Sequence, residues 1–191
     1  MTEKDFEDPL TAPDTVVLAS GSYLSKSDIP GANRENVFFA HDVIEGKVIP
    51  GKRIFIVGGR GLGIAVAQFL LGTGNQYEIT MAESQKKLGR DVNPSYIWRY
   101  VKKLKEGKVN VYKASKIIEI NDEGVVIDAP EGGRITIQVD SVILSDPLHP
   151  KNELAEHLEY AVGELYTIGD AVKPRRAHNA TMEGYRTGLK I

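Results

Sequence analysis

Short runs of aliphatic and β-branched residues alternate along this chain with glycine- and proline-rich breaks and with segments of helical periodicity. Residues 15–20, TVVLAS, read as a buried strand that stops at Gly21, and a loop of turn formers follows through Pro30-Gly31. NVFFAHDVIEGK holds a brief apolar stretch and then a short helix near Asp42 to Glu45. After the Pro50-Gly51 turn, Arg53 to Val57 is a strand and Leu62 to Leu71 a helix ended by Gly72 and Gly74. Tyr77 to Ala82 is the next strand, so strand, glycine turn, helix and strand span the length of one βαβ unit. In SYIWRYVKKLKEG, Ile97, Tyr100, Val101 and Leu104 recur at helical spacing, the lysines form a solvated face, and Gly107 is the stop.

The next segment is β-rich. VNVYKASKIIEI, the turn NDEG, VVIDA, the turn PEGG and RITIQV predict a three-stranded meander. SVILS is a further buried strand, ELAEHLE a short helix, ELYTIGDA a strand running into Gly169-Asp170, and NATMEGYRTGLKI a closing helix. No repeat or low-complexity stretch interrupts this order.

Composition narrows the class. The chain has 191 residues, 26% charged and 41% apolar, with a net charge of −2, which fits a soluble globular protein, and its order of strands and helices is that of an α/β chain. That charge argues against nucleic acid or an anionic membrane as the main partner. No apolar run is long enough to span a bilayer, and the polar, acidic opening MTEKDFEDPL does not read as a secretory signal. The absence of cysteine excludes thiolate catalysis, disulfide exchange and iron–sulfur ligation by this chain, and fits a cytoplasmic location. The four histidines form no ligand-spaced pair, so no metal site is expected.

The candidate chemistry lies in RIFIVGGRGLGIAVA. Counted from Gly58, the letters Gly58, Gly59, Arg60, Gly61, Leu62, Gly63 follow the dinucleotide pattern G-x-G-x-x-G except at the middle glycine, where Arg60 stands. The first glycine allows the tight turn, the second admits the diphosphate, and the third lets helix and strand pack closely. Gly58 and Gly63 fill the outer roles, while Arg60 projects a side chain where phosphate oxygens would sit. Its charge either binds a displaced phosphate or fills the pocket itself. Glu83, twenty residues after Gly63, is placed either to accept the ribose hydroxyls of NAD or simply to end a strand.

Together, VVLASGS, IPG, NVFFAHDVIEGK, GKRIFIVGG, the meander, DSVILS and LYTIGDAVKPRRAHNATMEGYRTGLKI resemble the flavoproteins with two dinucleotide domains. Within these they are most similar to the C-terminal region of NADH:flavin oxidoreductases such as 2,4-dienoyl-CoA reductase and trimethylamine dehydrogenase. The resemblance implies an NAD(P)-type, Rossmann-like domain with a β-meander at residues 46–146. This domain is inserted into an incomplete FAD-type domain, residues 1–45 and 147–191, whose first βαβ unit is missing. By position, Gly21, Gly169, Asp170 and Arg176 inherit contacts to FAD, or to the ADP that replaces it in trimethylamine dehydrogenase. The alternative for Asp170 is a carboxylate that caps a turn. Three departures fall where the nicotinamide dinucleotide would lie: Arg60, Ala65 where active members often carry Glu, and Pro147 in place of a glycine.

The expectation is a component or fragment of a flavin-dependent NAD(P)H oxidoreductase with a degenerate nicotinamide site and no catalytic residue of its own. The alternative is a non-catalytic assembly subunit that binds an ADP-like nucleotide or nothing and docks to a larger flavoprotein. An exposed apolar patch near Val16, Val17, Leu18 and the closing helix is expected, covered by a protein partner or by self-association.

Overall fold

A computed structural model describes residues 13–26, 28–129 and 132–191. In chain order the strands are β1 (Thr15–Leu18), β2 (Ser22–Leu24), β3 (Val37–Phe39), β4 (Arg53–Val57), β5 (Glu78–Glu83), β6 (Asn110–Lys113), β7 (Lys116–Asn121), β8 (Gly124–Asp128), β9 (Arg134–Ile137), β10 (Ser141–Leu144), β11 (Leu148–Pro150) and β12 (Glu164–Thr167). The helices are α1 (Ala40–Ile44), α2 (Gly61–Gly72), α3 (Ile97–Glu106), α4 (Glu153–Leu158) and α5 (Ala177–Gly188). Two compact units result: Leu24–Pro147, and the segment up to Tyr23 together with Leu148–Ile191.

The larger unit is built on a parallel sheet in the order β3-β10-β4-β5-β6. Its central strands read as unbroken apolar runs because both faces are covered. On one face Phe55, Val57, Ala82, Val142 and Leu144 pack against Ile120, Val125 and Ile127 of the antiparallel sheet β7-β8-β9. The alternate residues Ile54, Ile56 and Ile143 are fully buried on the other face, where α2 lies against β4. Below the sheet, the Arg53 guanidinium and backbone N–H both donate to the Asp140 carboxylate, at 2.6 Å and 2.8 Å, tying the start of β4 to the start of β10.

In the larger unit two features depart from the sequence reading. VNVYKASKIIEI is two strands, since Ala114 turns the chain at φ 53° and the N–H groups of Ala114 and Ser115 donate to Gln85 and Glu83. β6 therefore closes the parallel sheet, and only β7 joins the meander; Pro130 and Glu131 of the PEGG turn lie outside the described residues. Residues 24–45, grouped by the sequence reading with the flavin-type part, belong to the larger compact unit. β3 pairs with β10, α1 packs on α2, and Ile120 N–H donates to Pro30 O at 2.8 Å.

In the smaller unit β1 pairs in parallel with β12. β2 pairs with β11, a ladder too short for periodicity to reveal. A 3-10 turn at Gly169–Ala171 leads from β12 toward α5. Val17, Tyr185, Leu189 and Ile191 are exposed, whereas Leu18 is buried and Val16 only half-buried, so the apolar surface expected here is narrower than the sequence suggested.

At Gly63 helix and strand pack so closely that a Cβ would lie 2.0 Å from the Gly58 carbonyl oxygen. Gly63→Ala is expected to lower stability by about 1–3 kcal/mol, as overpacking does. Gly72→Ala, with nothing within 4 Å of the added methyl, should be neutral or stabilising by up to about 1 kcal/mol. Urea denaturation of both variants checks the contrast.

Candidate functional site

The carboxyl ends of β4, β5 and β10 meet the first turn of α2. Gly58 leaves β4 at φ 95°, a left-handed conformation suited to glycine, and a Cβ there would lie 2.9 Å from that of Asp146. Arg60 is the N-cap residue of α2, with the extended backbone (φ −79°, ψ −173°) that any residue adopts. Its side chain does not cap the helix. Nη1 lies 3.5 Å from Asp146 Oδ1 and Nε lies 3.7 Å from Asp91 Oδ2.

The capping group is Asp91. Its Oδ1 accepts the N–H of Gly61, the first residue of α2, at 2.8 Å. This is the contact a phosphate oxygen makes at a helix N-terminus, where unpaired N–H groups and the helix dipole attract an anion. Here a carboxylate of the chain makes it, and Arg60 bridges that carboxylate to Asp146.

Glu83 is 3% exposed. Its Oε2 accepts the N–H of Gly59 at 2.9 Å, and its Oε1 accepts Gln85 N–H at 2.9 Å and the Ser84 hydroxyl at 3.2 Å. The residue read either as a ribose acceptor or as a strand end is thus engaged by donors of the glycine turn and of the loop that follows it. Burial raises the Asp146 carboxyl above the usual carboxylate range; the charges of Glu83 and Asp91 add to this, and Arg60 opposes it. A cleft of about 200 Å³ opens here, lined by Gly58, Glu83, Ser84, Lys116, Asp146 and Pro147. It lies at the strand ends, where open α/β sheets bind ligands, but is smaller than the roughly 300–1,000 Å³ of typical ligand sites.

The smaller unit holds a second groove, of about 430 Å³, lined by Gly21, Ile168, Gly169, Asp170, Arg175 and Ala177. Asp170 Oδ1 accepts Arg175 N–H at 3.0 Å, and Ser22 donates to Oδ2 at 3.3 Å. Glu183 Oε2 accepts Gly169 N–H at 2.8 Å, and Oε1 pairs with Arg175 Nη2 at 2.6 Å. The Gly169 N–H and then Arg175 hold the Glu183 carboxyl below its ordinary range. Arg176 is the N-cap residue of α5; its predecessor Arg175 is the one that braces the turn. Gly21, Gly169 and Asp170 are brought together, as are Gly58, Gly59, Arg60, Gly61, Gly63 and Glu83, each set within its own unit.

Sequence reasoning missed Asp91 and Arg175. Asp91 lies 30 residues from its partner Gly61 in a polar loop with no motif of its own. Arg175 adjoins Arg176 in a run of two, where sequence alone does not choose between them. Among the described residues no cluster of histidine, aspartate and glutamate is arranged to hold a metal, and no helix is long and apolar enough to cross a membrane.

Residues 2–184 match the family described as pyridine nucleotide-disulphide oxidoreductase. The chain belongs to this family. Among its relatives, a metal reductase of Desulforamulus reducens is 31% identical over 202 residues, covering 92% of this chain and 30% of the reductase. An NADH oxidase of Thermoanaerobacter brockii is 29% identical, covering 94% of this chain and 28% of the oxidase. The solved 2-naphthoyl-CoA reductase, in complex with 2-naphthoyl-CoA, superposes with a TM-score of 0.90 at 30% identity, over 100% of this chain and 28% of that one. This member of the pyridine nucleotide-disulphide oxidoreductases therefore spans under a third of the length of these relatives. Family membership carries the Rossmann-like α/β fold and implies FAD and NAD(P)H as the family's cofactors, with no support for ADP.

Because the Asp146 carboxyl is raised in the folded state, its stabilising contribution is present at acid pH and lost as pH rises through the folded value. At neutral pH the ionised group is a cost. Asp146→Asn is expected to raise the urea midpoint at pH 7 and to lose that advantage as pH falls, which paired titrations at several pH values measure.

Proposed function

We propose that this chain is the nucleotide-binding component of a flavin-dependent NAD(P)H oxidoreductase related to 2,4-dienoyl-CoA reductase and trimethylamine dehydrogenase, with a nicotinamide site closed by its own side chains. The observation that carries this reading is the 2.8 Å bond from Gly61 N–H to Asp91. A diphosphate docking on α2 would have to displace a carboxylate from the same N–H and enter a site already carrying Glu83, Asp91 and Asp146. Like charges at such distances disfavour a further anion. Arg60 offsets one of these charges, but it is turned toward Asp91 and Asp146. In this conformation the residues do not fit NAD(P)H.

The groove of the smaller unit suits a flavin nucleotide better. Gly21, Gly169 and Ala177 leave its walls low, the first turn of α5 adjoins it, and Asp170 stands at its edge. FAD, when bound, supplies the redox chemistry; the chain contributes position and a fixed polar edge. The backbone at Gly21 and Gly169, the Asp170 side chain and the first turn of α5 are the proposed contacts, with Arg175 rather than Arg176 as the neighbouring cation.

A second reading is a non-catalytic assembly subunit docked to a larger flavoprotein. It draws on the exposed Val17, Tyr185, Leu189 and Ile191 of the smaller unit. The two readings differ in colour and in FAD binding: the first expects a saturable FAD titration and the second expects none.

Calorimetry with NADH tests the closed site. The unaltered protein is expected to show no saturable binding at micromolar coenzyme, and Asp91→Ala, which frees the Gly61 N–H and removes one of the two carboxylates that hold Arg60, should tighten binding by about tenfold or more. Arg60→Gly, which removes bulk but leaves Asp91 on the helix, should gain less. Unchanged affinity in Asp91→Ala would refute the closed site.

A further inference from the structure

The parallel sheet of the larger unit ends at β6, and among the described residues no strand pairs with its outer side. An open edge presents backbone N–H and C=O groups that a further strand can take up. Tyr112 packs against the core shared with β7-β8-β9, so Val111 and Lys113 face the opposite way, toward α3. There α3 and β6 enclose a cavity of about 320 Å³, lined by Val101, Leu104, Val109 and Val111 and by Lys105, Lys108 and Lys113. The three lysines are exposed, whereas Leu104 and Val109 are buried.

Charge is concentrated on this side of the molecule. Residues 84–116 hold ten of the chain's 24 lysines and arginines and two of its 26 acidic residues, a local charge of +8 against −10 for the remainder. Lys102 is paired with Glu106 at 3.7 Å, but Lys105, Lys108 and Lys113 have no carboxylate partner among the described residues. These lysines disfavour edge-to-edge pairing of β6 with a second copy, because like charges would then meet. A nucleic acid or a lipid surface would meet the ammonium groups, yet its phosphates only accept hydrogen bonds and leave the β6 carbonyls without donors. An extended peptide supplies donors and acceptors at the spacing of a strand, and its alternate side chains fall on the α3 side.

We propose that the open edge of β6 takes an extended acidic segment of a partner protein as a sixth strand of the sheet, with one aliphatic side chain in the α3–β6 cavity and carboxylates on Lys105, Lys108 and Lys113. This does not rest on the reading of the glycine turn, and each can fail without the other.

Titration of the full chain with the peptide acetyl-ETDTLTETD-amide, followed by 15N-resolved NMR and hydrogen exchange, tests it. Its leucine and acidic residues share one face of a strand. Saturable shifts are expected at Val101, Lys105 and Asn110 to Lys113, with slowed exchange of the β6 amides that face away from β5. Lys105→Glu and Lys113→Glu, both at exposed positions, should each weaken binding by about fivefold, as should serine in place of the peptide's leucine. N-methylation of the peptide along one edge should abolish binding, and along the other edge should spare it. Equal affinity for a peptide with lysine at each acidic position, indifference to both lysine substitutions, or tolerance of methylation on both edges would overturn the proposal. So would saturable binding of oligothymidylate or of phosphatidylglycerol vesicles at these residues in place of the peptide. Broadening of the β6 amides with protein concentration alone would also overturn it, since a second copy would then occupy the edge.

Discussion

The first turn of α2 has N–H groups with no partner inside the helix, aimed at the carboxyl ends of β4 and β10. The positive end of the helix dipole points the same way, so a negative group is needed there. Gly58 and Gly63 let helix and strand come into close contact at this turn. Asp91 meets that need from within the chain, and the rest of the site follows from its presence. Its charge draws Arg60 across the turn, Arg60 reaches Asp146, and Asp146, partly buried and then beside Glu83 and Asp91, holds its proton more tightly than an isolated carboxyl.

Such an arrangement serves two purposes that a bound coenzyme would otherwise share. It satisfies the helix terminus, and it anchors the loop after β5 to the glycine turn, with Gly89 N–H donating to Gly59 O at 2.7 Å as a second tie. Glu83 contributes a third, since its carboxylate holds Gly59 and Gln85 together. The turn is therefore complete as a piece of protein structure. That completeness is why the proposed function places the cofactor chemistry at the groove of the smaller unit, where small residues leave room and where Glu183 and Arg175 brace the backbone from behind.

Much of the fold was legible from pattern. Apolar runs such as RIFIV and SVIL, each bounded by glycine, proline or polar turns, mark the central parallel strands, and the alternation around NDEG marks the meander. The division of VNVYKASKIIEI was not legible, because Ala114 takes a left-handed conformation that nothing in its side chain announces. The short pair β2 and β11 was missed for lack of length. At the candidate site, Gly58, Gly63, Arg60 and Glu83 stand out by motif and spacing, since they lie on one βαβ unit. Asp91 does not, because its role comes from a loop folding back over the turn. Glu83 shows the limit from the other side: its position was legible, and the direction its carboxylate faces was not.

The most direct measurement is a crystal structure of the protein soaked in millimolar NADH. Asp91 should remain on the Gly61 N–H with Arg60 between it and Asp146, and no diphosphate should be found at the start of α2. A diphosphate seated on that N–H, with Asp91 swung away, would contradict the closed site.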